Sequence, residues 1–380
     1  FYLTSIGYPL AIEIAVLSFV SVIVIACPCA IGLAGPITLL IASSIASENG
    51  IIIKNSGVMD RLSKVNRAVF DKTGTLTEPK PSVTEFVLEK GYEMGDILEM
   101  AASLESSSNH PIAKAVVQYA NDKNIHLKAT SDVKEIPGVG ITGVVNGRMV
   151  DISRGKINGG STVSITIDNI LVGYFSVTYK IRISAKPAIE ALKRMGIKTS
   201  MITGDSNEEA KRIAIELGID DIHAEILPAD KSEIIKNYQK NGDFVVFTGD
   251  GINDTVALET ADVGIAMASG TDIARESGDI ILLNNNLGHV LYTKIIGTET
   301  ISKIKQNIWW AIGYNAALIP IAAGILIPFF GLSIYSFLPI LAALAMGMSS
   351  TSVVMNSLRM KGRIRHLIKT ESVVLSTTHL

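Results

Sequence analysis

The run Asp71-Lys72-Thr73-Gly74-Thr75-Leu76-Thr77 follows directly on Ala68-Val69-Phe70. Those three apolar residues read as the end of a buried strand, so the sequence predicts a carboxylate at the C-terminal lip of that strand. Open α/β sheets bind and transform their ligands at this edge. A carboxylate nucleophile there divides phosphoryl transfer into two easier steps. Lys72, the hydroxyls of Thr73 and Thr75 and the backbone around Gly74 are suited to placing a phosphate and its magnesium.

Further along the chain, strand and helix patterns alternate as a doubly wound α/β sheet requires. Lys186 to Met195, Glu208 to Leu217 and Lys231 to Lys240 read as helices, and Thr199 to Ile202 and Asp243 to Phe247 as strands. Two more motifs then fall at strand ends: Thr203-Gly204-Asp205, and Gly249-Asp250-Gly251-Ile252-Asn253-Asp254. The strand before Asp71 lies far upstream of these, so an inserted domain is expected over 80–175. It mixes helical patterns (Gly95 to Leu104, Ile112 to Ala120) with short strands such as Ser164 to Ile167 and Leu171 to Tyr174.

The composition is 48% apolar and the mean hydropathy +0.36, unevenly spread. Ala11 to Ser47 carries Glu13 as its one charge, and Gln306 to Leu358 carries none. The second stretch is long enough to cross a bilayer of about 30 Å twice, turning near Pro328 to Ser333. Three or so spans are therefore expected to flank a soluble insert of roughly 250 residues. Lys54, Arg61, Lys64 and Arg67, then Lys303 and Lys305, then Arg359, Lys361, Arg363 and Arg365 border the apolar stretches, which places the soluble part on the cytoplasmic side of a multi-pass protein, with the cell membrane the expected bilayer. The net charge of −2 gives no reason to expect a nucleic-acid partner. Phe1 begins inside an apolar segment rather than after a basic region, so no signal peptide is expected and the chain reads as an internal fragment. The two cysteines, Cys27 and Cys29, are one residue apart in the first apolar stretch. A mutual disulfide would be badly strained there, and metal binding is the better reading.

Asp71 to Thr75 resembles the phosphorylation motif of P-type ATPases. This resemblance implies membrane α-helical segments plus a cytoplasmic α/β part, namely a haloacid-dehalogenase-like phosphorylation domain carrying an inserted α+β nucleotide-binding domain. By that likeness Asp71 accepts the γ-phosphoryl of ATP, with Lys72 and Thr73 beside it. Thr203, Gly204 and Asp205 help bind the phosphoryl group, and Lys231, in Leu227-Pro228-Ala229-Asp230-Lys231, contacts phosphate. Asp250 holds magnesium together with Asp71 and Thr73, while Asn253 and Asp254 support them. Soluble phosphatases of the related type place a second Asp two residues after the nucleophile, and Thr73 occupies that slot, so a long-lived acyl phosphate is expected. In the insert, Ser108-Asn109-His110-Pro111 resembles the SEHP-type motif of heavy-metal pumps. Glu105, His110, Gly138 and Gly140 then match nucleotide-contacting positions. The run Gly138 to Gly143 follows no clear strand and opens no helix, so it is not a Rossmann fingerprint. Two departures stand out: Ser153-Arg154-Gly155 replaces a usual Gly-Asn pair, and Tyr179 a usual Asp.

The membrane segments resemble the copper-transporting subgroup. Pro28 between Cys27 and Cys29 removes an amide donor and kinks a helix. Two thiolates with the Met346 thioether are soft ligands suited to Cu(I) or Ag(I), with Tyr314, Asn315 and Ser350 in support. The implied organisation is 1–64 membrane, 65–79 and 176–300 phosphorylation domain, 80–175 nucleotide domain, 301–358 two membrane helices and 359–380 a basic tail. The implied function is ATP- and Mg2+-dependent export of Cu(I), served by a copper chaperone. The TGE-bearing actuator domain of such pumps does not occur in these residues. A zinc or cadmium pump also carries Cys-Pro-Cys but adds a carboxylate, and often a lysine, in the last helices, and Gln306 to Leu358 has neither. A membrane-tethered phosphatase and a binding-only metallochaperone are the remaining alternatives.

Overall fold

The computed structural model describes residues 11–26, 29–136, 139–155, 161–250, 254–269, 276–326, 329, 331 and 337–377. They divide into two compact units, Asn66–Gly288 and the combination of Phe1–Val65 with His289–Leu380.

In the first unit, strand β1 (Arg67–Asp71) is central. Its neighbours are β8 (Lys198–Ile202) and β10 (Val245–Gly249), followed outward by β9 (Asp221–His223) on one side and β11 (Val263–Met267) and β12 (Ile280–Leu282) on the other. All pair in parallel. Ala68, Val69 and Phe70 are each 0% exposed, which is why β1 reads as a continuous apolar run rather than an alternating one. Helices α6 (Ala185–Arg194), α7 (Asn207–Leu217), α8 (Lys231–Lys240) and α9 (Thr255–Thr260) connect these strands. Helix α7 illustrates the local logic. Ser206 precedes it in extended conformation, Glu208 and Glu209 occupy its first turn, and Gly218 ends it at φ 71°, a geometry that costs glycine little. The strand expected over Asp243 to Phe247 begins instead at Val245. Asp243, itself buried, pairs with Arg67 (2.6 Å) and Lys198 (3.2 Å).

Between β1 and α6 the chain builds a six-stranded antiparallel sheet ordered β2 (Thr77–Leu88), β7 (Ile170–Ile181), β6 (Ser161–Ile167), β5 (Arg148–Gly155), β4 (Gly140–Val145) and β3 (Thr130–Ile136). Helices α4 (Met94–Glu105) and α5 (Pro111–Asp122) belong with it, and their apolar faces share its core through Leu98, Leu104, Val116 and Phe175. The strand expected at Leu171 to Tyr174 is part of the twelve-residue β7. Its length was hidden because its outer positions alternate Ser, Thr and Lys. Pro79 and Pro81 sit in β2, which tolerates them because it is the edge strand. Thr77 pairs with Ile181, so the chain enters and leaves this sheet at adjacent points.

The second unit holds α1 (Ala11–Ile25), α2 (Cys29–Glu48), α3 (Val58–Lys64), α10 (Gly288–Ala322) and α11 (Leu338–Thr377). Among the described residues, the stretch Ile12–Glu48, with a mean hydropathy of 2.7 over an 18-residue window, is the one long and apolar enough to cross a membrane. Helices α10 and α11, where the two further spans are expected, have the length, 35 and 40 residues, and part of Gln306 to Leu358 lies outside the described residues. The turn expected near Pro328 to Ser333 lies mostly outside the described residues.

Candidate functional site

Asp71 ends β1 at 6% exposure. The chain then leaves the sheet through Lys72–Leu76, with Thr73 extended and Gly74 at φ 76°. Gly74 meets two demands at once. Its backbone is left-handed, and a Cβ there would overlap the Asp250 carboxylate. The turn is clamped by Arg182, whose Nη2 donates to the Gly74 carbonyl (2.6 Å) and whose Nε donates to that of Thr75 (2.8 Å). Nothing in the local sequence around Asp71 signals this clamp.

Strands β8 and β10 deliver the other groups to the same edge. Thr203, 2% exposed, accepts from the Asp205 amide and donates to its carboxylate (3.1 Å each). Asp205 forms an ion pair with Lys72, and the Lys72 ammonium lies 5.3 Å from the centre of the Tyr179 ring. Gly204 lies between Thr203 and Asp205 in this loop. Lys231, at the start of α8, donates to Asp71 Oδ1 (2.6 Å) and Asp254 Oδ1 (2.7 Å). Asp254, expected as an outer support, is thus a direct partner of the same ammonium. Asn253 lies outside the described residues.

Oxygens of Asp71, Asp250 and Asp254 all lie within 4.8 Å of one another. At an effective dielectric of about 20, two unit charges about 4 Å apart repel by about 4 kcal/mol. Burial, reinforced by the Asp254 charge and only partly offset by Lys231, pushes the Asp71 carboxyl up to about 7. Burial and Asp254 push Asp250 up to about 6. Burial pulls Lys231 down, but Asp71 and Asp254 outweigh it and its net shift is upward. The upward shifts show three carboxyls with too little positive charge among them, and oxygen donors of this kind suit Mg2+. The Oγ1 atoms of Thr75 and Thr248 are buried with no hydrogen-bond partner among the described residues, a donor surplus that fits a phosphate oxygen. Thr73, half-buried in the turn, remains available to the same cradle.

In the antiparallel domain, Glu105 ends α4 at 5% exposure. Its carboxyl is pushed up to about 7 by burial and by the neighbouring Glu135. Ser108 Oγ donates to Glu135 (2.7 Å) and accepts from the His110 amide (3.1 Å). His110 caps α5, its Nδ1 accepting from the Ile112 amide (3.2 Å), which leaves Nε2 for a ligand. A Cβ on Gly140 would strike the Ile152 carbonyl, and one on Gly143 would strike Leu104 beside Glu105. The described glycines of this run therefore serve close packing, and Gly138 lies outside the described residues. Glu135 had no motif to reveal it.

Because the folded-state value for Glu105 lies above the unfolded one, its contribution to stability is full below about pH 4.5 and is lost as pH rises through about 7. The soluble unit is expected to lose on the order of 2–3 kcal/mol across that window from this group. Glu105→Gln should flatten the loss, as read from urea midpoints by circular dichroism. An unchanged pH slope would refute the assignment.

In the helical unit a cavity of about 20 Å3 is lined by Tyr314, Asn315, Met346, Ser349 and Ser350, with Ala30 from α2. Four residues expected to surround a transported ion, Tyr314, Asn315, Met346 and Ser350, thus meet at one place. Cys27 and Pro28 lie outside the described residues. Cys29 is the first residue of α2, and its side chain is not described.

Residues 65–262 match the family model of the haloacid dehalogenase-like hydrolases. Copper-transporting ATPase 2 of Rhizobium meliloti (strain 1021) is 39% identical over 371 residues, covering 92% of this chain and 44% of that protein. The solved catalytic domain of the CPx-ATPase CopB-B is 34% identical with a TM-score of 0.59, and the match covers 66% of this chain and 98% of that domain. The chain belongs to the heavy-metal P-type ATPases. A zinc-transporting PIB-type ATPase crystallised in its E2.Pi state also superimposes on this P-type ATPase, with a TM-score of 0.79 and 31% identity over 89% of this chain and 56% of the other. The chain spans about half the length of the curated relatives it matches. The α/β sheet and the inserted domain of this P-type ATPase have the fold expected of the family.

Proposed function

We propose that the whole protein carrying this chain is a multi-pass protein of the cell membrane with its soluble domains in the cytoplasm, that it exports Cu(I), and that Asp71 is phosphorylated by ATP on each cycle. The observation that carries the reading is Asp71 at the end of the central strand, bonded to Lys231 and crowded by Asp250 and Asp254. Asp71 attacks the γ-phosphorus, the bond from that phosphorus to the β,γ-bridging oxygen breaks, and ADP departs with the electron pair. Bound Mg2+ would supply the positive charge that lets the triphosphate approach this acidic edge, held by Asp71, Asp250 and Thr73 with Asp254 alongside. Lys231 steadies the incoming phosphoryl oxygens, Arg182 keeps the turn rigid, and Thr73 leaves the slot of the phosphatase general acid without a carboxyl, so the acyl phosphate persists until water is admitted. Glu105 and His110 hold the adenine nucleotide on the inserted domain, where Gly140 lets the strands beside them pack closely. The water-positioning Glu belongs to an actuator domain outside these residues, and a soluble copper chaperone is the proposed donor of the ion.

For the ion, the cavity offers the Met346 thioether and neutral oxygens, and none of its lining residues is a carboxylate or a lysine. An uncompensated charge at that depth is costly, which favours a soft monovalent ion balanced by the Cys27 and Cys29 thiolates over Zn(II). In the full-length protein, Cu(I) or Ag(I) is expected to stimulate ATP hydrolysis and Zn(II) is not. Cys27→Ser or Cys29→Ser should abolish the stimulation, whereas Met346→Leu should only weaken it, a thioether being the weaker ligand. Equal activation by Zn(II), with Met346→Leu silent, would move the protein to the divalent-metal group.

A further inference from the structure

Helices α2, α10 and α11 carry their facing side chains in three successive layers. The first is the cavity of Asn315, Met346 and Ser350. The second is dry and small, with Ala34, Ala311 and Val353 packed together at 0%, 3% and 1% exposure. The third is polar, with Thr38, Asn307 and Ser357 each 0% exposed. Asn307 lies eight residues before Asn315 on α10, and Ser357 seven after Ser350 on α11. That is about 10–12 Å along either helix at 1.5 Å per residue.

The third layer is closed upon itself. The Asn307 amide donates to Ser357 Oγ (2.9 Å) and Thr38 Oγ1 (3.2 Å), while its carbonyl oxygen accepts from Asn356 Nδ2 (2.8 Å). Thr38 and Ser357 in turn donate to carbonyls of their own helices, Ala34 (2.6 Å) and Val353 (2.8 Å). Lys303 ends the chain, donating to Asn356 Oδ1 (3.0 Å). One amide therefore touches both neighbouring helices with its hydrogen-bonding capacity committed. A slip of one residue along any helix, about 1.5 Å, would break these bonds, and a fully satisfied buried network of this kind specifies one arrangement.

We propose that Asn307 is a positioning residue for the ion cavity: through Thr38, Ser357 and Asn356 it fixes the height and rotation of three helices so that Asn315, Met346 and Ser350 meet. This rests on the cavity's role in holding the transported ion. Asn307→Leu keeps the volume, and Thr38 and Ser357 keep their bonds to their own helices, so the fold is expected to persist. Cu(I)-stimulated ATP hydrolysis by the full-length protein should then need about tenfold more Cu(I) for half-maximal rate, the scale set by one or two interhelical hydrogen bonds in a membrane. The maximal rate should stay within about twofold, since the groups that receive phosphate lie in the other unit. Thr38→Val, which removes a single partner, should shift the half-maximal concentration in the same direction by about threefold. A lower melting temperature with an unmoved half-maximal concentration in both variants would reduce Asn307 to packing and overturn the proposal. If the unaltered protein answers to Zn(II) instead of Cu(I), the ion assignment fails while the same shift, read with Zn(II), still decides the positioning role.

Discussion

Asp71→Asn is expected to abolish the acid-stable, hydroxylamine-sensitive label that the full-length protein takes from ATP. The fall in ATP hydrolysis should exceed about 10^4-fold, the scale on which loss of a covalent nucleophile acts in other enzymes. An amide of nearly the same shape cannot form the acyl phosphate, and no other carboxylate occupies its place at the end of β1. Nucleotide binding should be largely kept, because Glu105 and His110 lie on the antiparallel domain. The melting temperature should not fall either. One of three crowded carboxylates is removed, and Lys231 retains its 2.7 Å bond to Asp254. Label persisting in Asp71→Asn would move the nucleophile elsewhere, and Asp250 would be the next residue to test.

Lys231→Met should have the second largest effect, and it should show in both stability and rate. The methionine fills much of the same volume but leaves Asp71, Asp250 and Asp254 facing one another with their shared ammonium gone. Breaking a buried pair in this way costs about 3–5 kcal/mol, so the chemical-unfolding midpoint of the soluble unit should drop sharply in the absence of magnesium. Millimolar Mg2+ should recover part of that loss by cancelling the same charge. Phosphorylation from ATP should fall by about 10^2–10^3-fold, as for removal of one preorganised electrostatic group. A variant as stable as the parent without Mg2+ would mean that the carboxylates are not coupled as their geometry indicates.

The parts of this arrangement that announced themselves in the sequence are those built from neighbours along the chain. An apolar run followed by a carboxylate and a glycine turn shows both the strand and the placement of Asp71 at its lip, and Thr203 and Asp250 repeat that grammar after β8 and β10. Contacts made across the fold were not legible. Arg182 reaches the Gly74 and Thr75 carbonyls from the chain leaving the inserted domain, 108 and 107 residues away in sequence, and Glu135 approaches Glu105 from a strand. Neither has a local pattern to betray it. The role of Asp254 was understated because a motif gives order and not distance. The polar layer around Asn307 was equally hidden, because its amides are satisfied by side chains of other helices.

The adjacency of Thr77 and Ile181 has a consequence for how the protein is made. Arg67 pairs with Lys198 on one side and Val245 on the other, so the strand bearing Asp71 leaves the ribosome long before either neighbour exists. At synthesis rates of about 5–20 residues per second the wait for β8 is on the order of ten seconds. Throughout that interval Ala68-Val69-Phe70 presents two unpaired edges to other nascent chains. The antiparallel domain needs nothing from the parent sheet to form its own core, and it can fold within that window. Once folded, it holds its two ends together and converts a pairing across more than a hundred residues into one across a short gap. The inserted domain thus serves the strand that carries the nucleophile before any nucleotide has been bound.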